Sequence, residues 1–210
     1  MKWGRVAALL AIFVPVGFAS AVPIVVPQDA MDFGDLDVAA SAAGPLVSFY
    51  NYNDTFTGQV ISQTFLRNDG TYLYLYQADN FGPSVLEILA VSPFFDLDQT
   101  QAGALTGGEP VAFLIGGLDT LGMTYDPDVP LPNVSYNYPS WLGAHVPAGE
   151  HTKVLYLVSP NAPTSGEAYV IDSGTAVVEV FVPVPEPSVV GLLALGGVFA
   201  VGRRRNRRIK

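Results

Sequence analysis

Gly58-Gln59-Val60-Ile61-Ser62-Gln63-Thr64-Phe65-Leu66 and Thr71-Tyr72-Leu73-Tyr74-Leu75-Tyr76-Gln77, joined through Arg67 and Asn68-Asp69-Gly70, decide the fold. β-branched and aromatic residues alternate with their neighbours in both arms, the pattern of a pleated strand. Asn68-Asp69-Gly70 supplies the positive-φ position that a tight turn needs. The stretch therefore predicts a β-hairpin. By the period of two, Tyr72, Tyr74 and Tyr76 share one face of its second arm.

Working outward, Ser84 to Val91, Pro110 to Ile115, Thr152 to Val158, Glu167 to Ile171 and Thr175 to Val182 are further runs of strand length. They are separated by Gly, Pro, Asn and Asp. Between the two ends of the chain no window of a dozen residues carries a 3.6-residue period. Seven or more short strands in one domain predict an all-β fold, a single β-sandwich or jelly-roll-like barrel. Asp29 to Gly44, rich in Asp, Ala and Gly, and Met123 to Pro147, rich in Pro, Asn and Tyr, read as loops or irregular edges.

The two ends are of another character. Lys2 and Arg5 precede the mostly apolar Val6 to Phe18, and Ala19-Ser20-Ala21 offers small residues at a cleavage site before Val22. This is the layout of a secretory signal peptide, residues 1–21, with Ala19 and Ala21 read by signal peptidase. At the other end Pro185-Glu186-Pro187 precedes the apolar run Ser188 to Gly202, and Arg203, Arg204, Arg205, Arg207, Arg208 and Lys210 follow it. The run is 15 residues long, roughly 22 Å as a helix against a hydrocarbon core of about 30 Å. Pro183, Pro185 and Pro187 oppose any upstream extension. The tail reads as a short transmembrane helix with its basic end in the cytoplasm, which leaves the peptide before Ser188 at the outer face.

Pro185-Glu186-Pro187, the Gly/Leu/Ala-rich span 188–202 and the basic tail 203–210, in that order, resemble the PEP-CTERM sorting signal. The resemblance implies recognition by an exosortase, a membrane transpeptidase-like protease, in Gram-negative bacteria that make extracellular polysaccharide. Pro185, Glu186, Pro187, Arg203, Arg204 and Arg205 are the sorting residues it implies. It covers about the last 26 residues and speaks to address. Thr57 through Phe95, with Gly70-Thr71-Tyr72 and Tyr76-Gln77-Ala78-Asp79-Asn80, also resembles β-rich ectodomains attached to this signal. The chain thus divides into a signal peptide (1–21), a β-ectodomain (22–182) and a sorting segment (183–210).

Setting the ends aside changes the charge. The whole chain is at −9, but all 19 acidic residues lie between Val22 and Pro187, where only Arg67 and Lys153 oppose them, a balance of −17. Nucleic acid and anionic lipid require clustered Lys and Arg, so such a body excludes nucleic-acid binding. It favours solubility or divalent cations instead. With no cysteine there are no disulfides, thiolate metal sites or cysteine nucleophiles, even in a compartment that permits bridges.

Candidate chemistry is sparse. Asp172-Ser173-Gly174-Thr175 has the form of an aspartic-protease motif, whose chemistry needs two carboxylates sharing a proton. The nearest second copy, Asp119-Thr120-Leu121-Gly122, has Leu where Gly is required, and Asp-Ser-Gly between two strand runs also reads as a hairpin turn. His145 and His151, with Glu150, fall in a Pro/Gly loop at a spacing that suits neither a helix pair nor one strand face. No nucleophile elbow or phosphate-cradling loop is present, and an enzyme is not expected. Asp32, Asp35 and Asp37 cluster near the start of the body. The pairs Asp96/Asp98 and Asp126/Asp128 are candidate oxygen ligands for a structural Ca²⁺; no other cofactor is implied. Tyr136, Tyr138 and Trp141 gather in a Pro-bounded loop and are candidates for stacking on sugar rings.

The first reading is an exported, non-catalytic surface or extracellular-matrix protein. It would meet signal peptidase and exosortase during export, insert transiently in the membrane through its tail, and associate with extracellular polysaccharide. The second is a carbohydrate-binding or adhesive module using exposed Tyr and Trp. The third, more remote, is a hydrolase such as an aspartic protease.

Overall fold

The computed structural model describes residues 24–26, 29–172 and 174–184. Among them the chain is all-β, with strands β1 (Ile24–Val26), β2 (Asp29–Asp32), β3 (Val38–Tyr52), β4 (Phe56–Arg67), β5 (Tyr72–Asn80), β6 (Ile88–Ser92), β7 (Ala102–Gly107), β8 (Gly122–Asp126), β9 (Asn133–Asn137), β10 (Leu155–Ser159), β11 (Pro163–Ile171) and β12 (Thr175–Pro183). Two 3-10 turns, Phe33–Leu36 and Ser140–Leu142, interrupt them. The boundary at residue 21, the proposed signal peptide and the sorting helix lie outside the described residues. No helix among the described residues is long and apolar enough to cross a membrane.

The strands form two six-stranded sheets, β1-β8-β9-β6-β11-β12 and β2-β7-β10-β5-β4-β3. Every adjacent pair is antiparallel except β2 with β7. The chain crosses repeatedly between sheets, so that β5 pairs with β10 and, nested inside that pairing, β6 pairs with β9. One apolar core draws on both sheets, with Val60, Tyr74 and Tyr76 from one and Leu89, Tyr136 and Val178 from the other.

β4 and β5 form the expected hairpin, with Leu66 opposite Tyr72 and Gly58 opposite Asn80. Its turn is closed by Arg67 N–H to Thr71 O at 2.9 Å, and Gly70 takes φ +87°. The Asp69 carboxylate accepts from the Thr71 hydroxyl at 2.6 Å and from its amide at 2.9 Å. The hydroxyl bond is the largest influence holding its pKa below the ordinary carboxylate value.

The alternation of Tyr and Leu in β5 records two buried faces. Tyr74 and Tyr76 enter the core between the sheets, and their hydroxyls donate to Asn161 O at 2.8 Å and Phe181 O at 2.6 Å. Leu73 and Leu75 point the other way, into a second cluster with Tyr156 and Val158, capped by Leu36 and Phe113.

That second cluster explains where the structure departs from the sequence reading. Pro110 to Ile115 is not a strand. It turns through Phe113 N–H to Pro110 O at 2.9 Å, between Gly107-Gly108 and Gly116-Gly117, and sends Phe113 down onto the outer face of the second sheet. The Gln77 side chain fastens this segment, donating to Leu114 O at 2.9 Å and Thr152 O at 3.0 Å and accepting from Leu114 N–H at 2.8 Å. Asp29 to Gly44, expected to be irregular, contributes β2, a 3-10 turn and the start of β3, because pairing with β7 and β4 overrides its poor strand composition. Met123 to Pro147 contains most of β8 and all of β9, which bury Met123, Tyr125, Val134 and Tyr136 on alternate positions. β7, Ala-Gly-Ala-Leu-Thr-Gly, carried no strand signal. The run from Ser84 becomes a strand only at Ile88, after Leu86 bridges to Val146.

Candidate functional site

The outer face of the first sheet carries the one surface aromatic among the sequence candidates. On β6, Ile88 lies opposite Asn137 of β9, and Asn137 lies opposite Gly122 of β8. The adjacent pair Leu89 and Tyr136 faces the core, so Ile88 and Asn137 face outward. β9 then runs through Tyr138, whose N–H donates to Glu87 O at 2.6 Å, into Pro139 and the 3-10 turn that carries Trp141. Gly143 closes this turn at φ +72°, its N–H reaching Ser140 O at 2.9 Å. The result is a depression of about 230 Å³ lined by Glu87, Ile88, Asn137, Pro139 and Trp141.

Of the three aromatics expected to form a platform, only Trp141 is at the surface, 81% exposed. Tyr136 and Tyr138 are fully buried, because the strand alternation and the chain's return toward Leu86 and Val146 turn both rings into the core. Burial pushes the phenol pKa of each far above its ordinary value. The three therefore do not gather on the surface. Asn137 and Glu87, which the sequence did not single out, take the places beside the indole. Only the register of β6 on β9 brings them there.

The acidic candidates disperse among local partners. Asp98 accepts from Thr100 and Gln101, bonds that hold its carboxyl below the ordinary range against the opposing effect of burial. Asp96 accepts from Asn161 at 2.9 Å, and Asp126 from the Asp128 amide at 3.3 Å. Asp32 caps the first 3-10 turn through Gly34 N–H, and Asp37 accepts from Asn68. Among the described residues no three His, Asp or Glu side chains come together in a metal-holding group.

Asp172 stands in the turn between β11 and β12, its N–H donating to Gly174 O at 3.0 Å. Asp119 lies in a different loop, ion-paired with Lys153 at 2.6 Å. His151 pairs with Asp79, near the end of β5, through an isolated antiparallel backbone bridge. Asp79 is buried, accepts from the Gln59 amide, and leaves its Oδ1 without a hydrogen-bond partner. Burial raises its pKa above the ordinary value, with Gln59 and His151 opposing the shift. His145 precedes Val146, which pairs with Leu86 and whose carbonyl accepts from the Asn80 side chain at 2.9 Å.

Pro185, Glu186, Pro187, Arg203, Arg204 and Arg205, like Ala19 and Ala21, lie outside the described residues. Residues 183–208 match the family model of the PEP-CTERM protein-sorting motif. The chain thus carries that motif, which implies export to the cell surface and processing by an exosortase. No curated protein and no solved structure matches the chain.

Proposed function

We propose that this chain is an exported, non-catalytic protein of the cell surface or extracellular matrix, a jelly-roll-like β-sandwich delivered by its C-terminal motif into extracellular polysaccharide. The sorting motif at 183–208 carries the reading. In the proposed path, signal peptidase cuts after Ala21, the short apolar span holds the tail in the membrane, and exosortase acts near Pro185-Glu186-Pro187. The acidic body remains soluble outside, since self-repulsion between like-charged surfaces opposes association. No organic cofactor is called for. The calcium reading has little support, because three of its four carboxylates, Asp96, Asp98 and Asp126, accept from neighbouring donors. The hydrolase reading has less, with Asp172 in a hairpin turn and Asp119 paired to Lys153.

Intact-mass spectrometry of the protein from its native host tests the proposal. The mature form is expected to begin at Val22 and to lack everything after about residue 187. Recovery of surface material that retains Lys210 would overturn it.

A further inference from the structure

We propose that the depression around Trp141 is a binding site for a neutral pyranose unit of a polysaccharide chain. The inference rests on the extracellular placement proposed above for its biological setting. Its physical basis is independent of that placement.

Other apolar side chains are as exposed as Trp141, Val111 and Ile115 among them, but this one, 81% exposed, presents a flat indole at the edge of a concavity. Pro139 and Ile88 give the floor apolar area, and Gly122, opposite Asn137, has open space where a side chain would stand. At about 230 Å³ the depression is below the ~300 Å³ at which drug-sized pockets begin. It suits one six-membered ring with its neighbours in the chain running out over the surface.

The polar complement selects the ligand class. A pyranose presents a face of C–H groups, which packs on a flat ring, and an equatorial rim of hydroxyls, each both donor and acceptor. Glu87 supplies acceptors and Asn137 supplies both kinds of group. Among the described residues the Glu87 side chain has no hydrogen-bond partner, so it is free to accept a hydroxyl. The Asn137 amide makes only a long bond to Gly122 O, at 3.4 Å. The same carboxylate, on a body whose charge is −17 over residues 22–187, repels uronates and sulfated sugars. Selectivity for uncharged sugars is thus built into the site by Glu87.

The test uses the full-length chain in a detergent whose headgroup is not a sugar. The chain has two tryptophans, Trp3 and Trp141. A Trp3→Phe background therefore makes indole emission report Trp141 alone. The probes are β-1,4-linked hexamers of glucose, mannose and xylose, with a galacturonate hexamer as the charged comparison. At least one neutral hexamer is expected to shift the emission saturably and to bind by calorimetry. Trp141→Ala is expected to weaken that binding by roughly tenfold or more with unchanged circular dichroism and melting, since the side chain stands in solvent. Trp141→Tyr, which keeps a flat ring, should retain part of the affinity. Glu87→Gln should narrow the preference for neutral over galacturonate hexamer.

Failure of all three neutral hexamers to bind up to about 10 mM, an affinity of roughly 3 kcal/mol, overturns the site. So does binding that Trp141→Ala leaves intact. A preference unchanged by Glu87→Gln overturns the role given to that carboxylate. None of these results bears on tail processing, and an uncleaved tail would leave them standing.

Discussion

Replacing Gln77 by Leu should detach the 108–121 segment from the second sheet before it unfolds the domain. Gln77 is fully buried, on the same face of β5 as Leu73 and Leu75, and its amide makes three hydrogen bonds to backbone groups of Leu114 and Thr152. At about 0.5–1.5 kcal/mol net for each bond, the loss is roughly 2–4 kcal/mol. Leu is more apolar and costs less side-chain entropy to bury, an offset of about 1 kcal/mol. Leu114 is about half exposed, so water can replace part of what its backbone loses. The net expectation is a destabilisation of about 1–3 kcal/mol.

Urea denaturation reads the global term, and hydrogen exchange at the Leu114 amide reads the local one. In the wild type that amide is held by Gln77 Oε1 at 2.8 Å. In Gln77→Leu it should exchange faster than the amides of β5 and β10, which remain in the sheet ladder. Equal protection of Leu114 in both proteins, with an unmoved urea midpoint, would refute the reasoning. It would mean that Phe113 in the second cluster and the bridge from Leu118 to Thr152 hold the segment without help from Gln77.

Two other substitutions probe buried polar groups. Asp79 has a raised pKa in the fold, so below its unfolded value of about 3.8 its ionisation costs nothing; as pH rises through that value the unfolded chain loses the proton first and stability falls, until Asp79 ionises in the fold as well. Asp79→Asn should therefore gain on the wild type between pH 3 and pH 7, as measured by urea midpoints; a gap that shrinks on going to neutral pH would show that Gln59 and His151 outweigh burial. Tyr76→Phe removes the hydroxyl that ties β5 to Phe181 O of β12 in the opposite sheet, and should cost about 1 kcal/mol in the same assay with little change in slope; no loss would mean that the Phe181 carbonyl finds another donor.

The hairpin 56–80 was legible because its evidence is local: strand composition in both arms and a turn whose Gly70 must take positive φ. The turn at Asp172 was legible for the same reason, as Asp-Ser-Gly between two strand runs. So was the sorting tail, whose residues carry the signal in their order alone. β7 was not, because Ala, Gly and Thr become a strand there only through β2 on one side and β10 on the other. Pro110 to Ile115 failed in the opposite sense, since its apolar residues serve a sheet face rather than a sheet position.

The amino-acid order by itself determined the all-β class, the acidic exported body and the address at the tail, since each follows from composition or from a contiguous pattern. Only the tertiary structure decided which aromatics meet solvent. Tyr136, Tyr138 and Trp141 lie within six residues and are equally apolar in sequence, yet two fill the core and one stands outside it. The physical reason is that exposure depends on strand phase and on what packs opposite. Both are fixed by the register of β9 on β6 and by the second sheet beneath, partners distant in the chain.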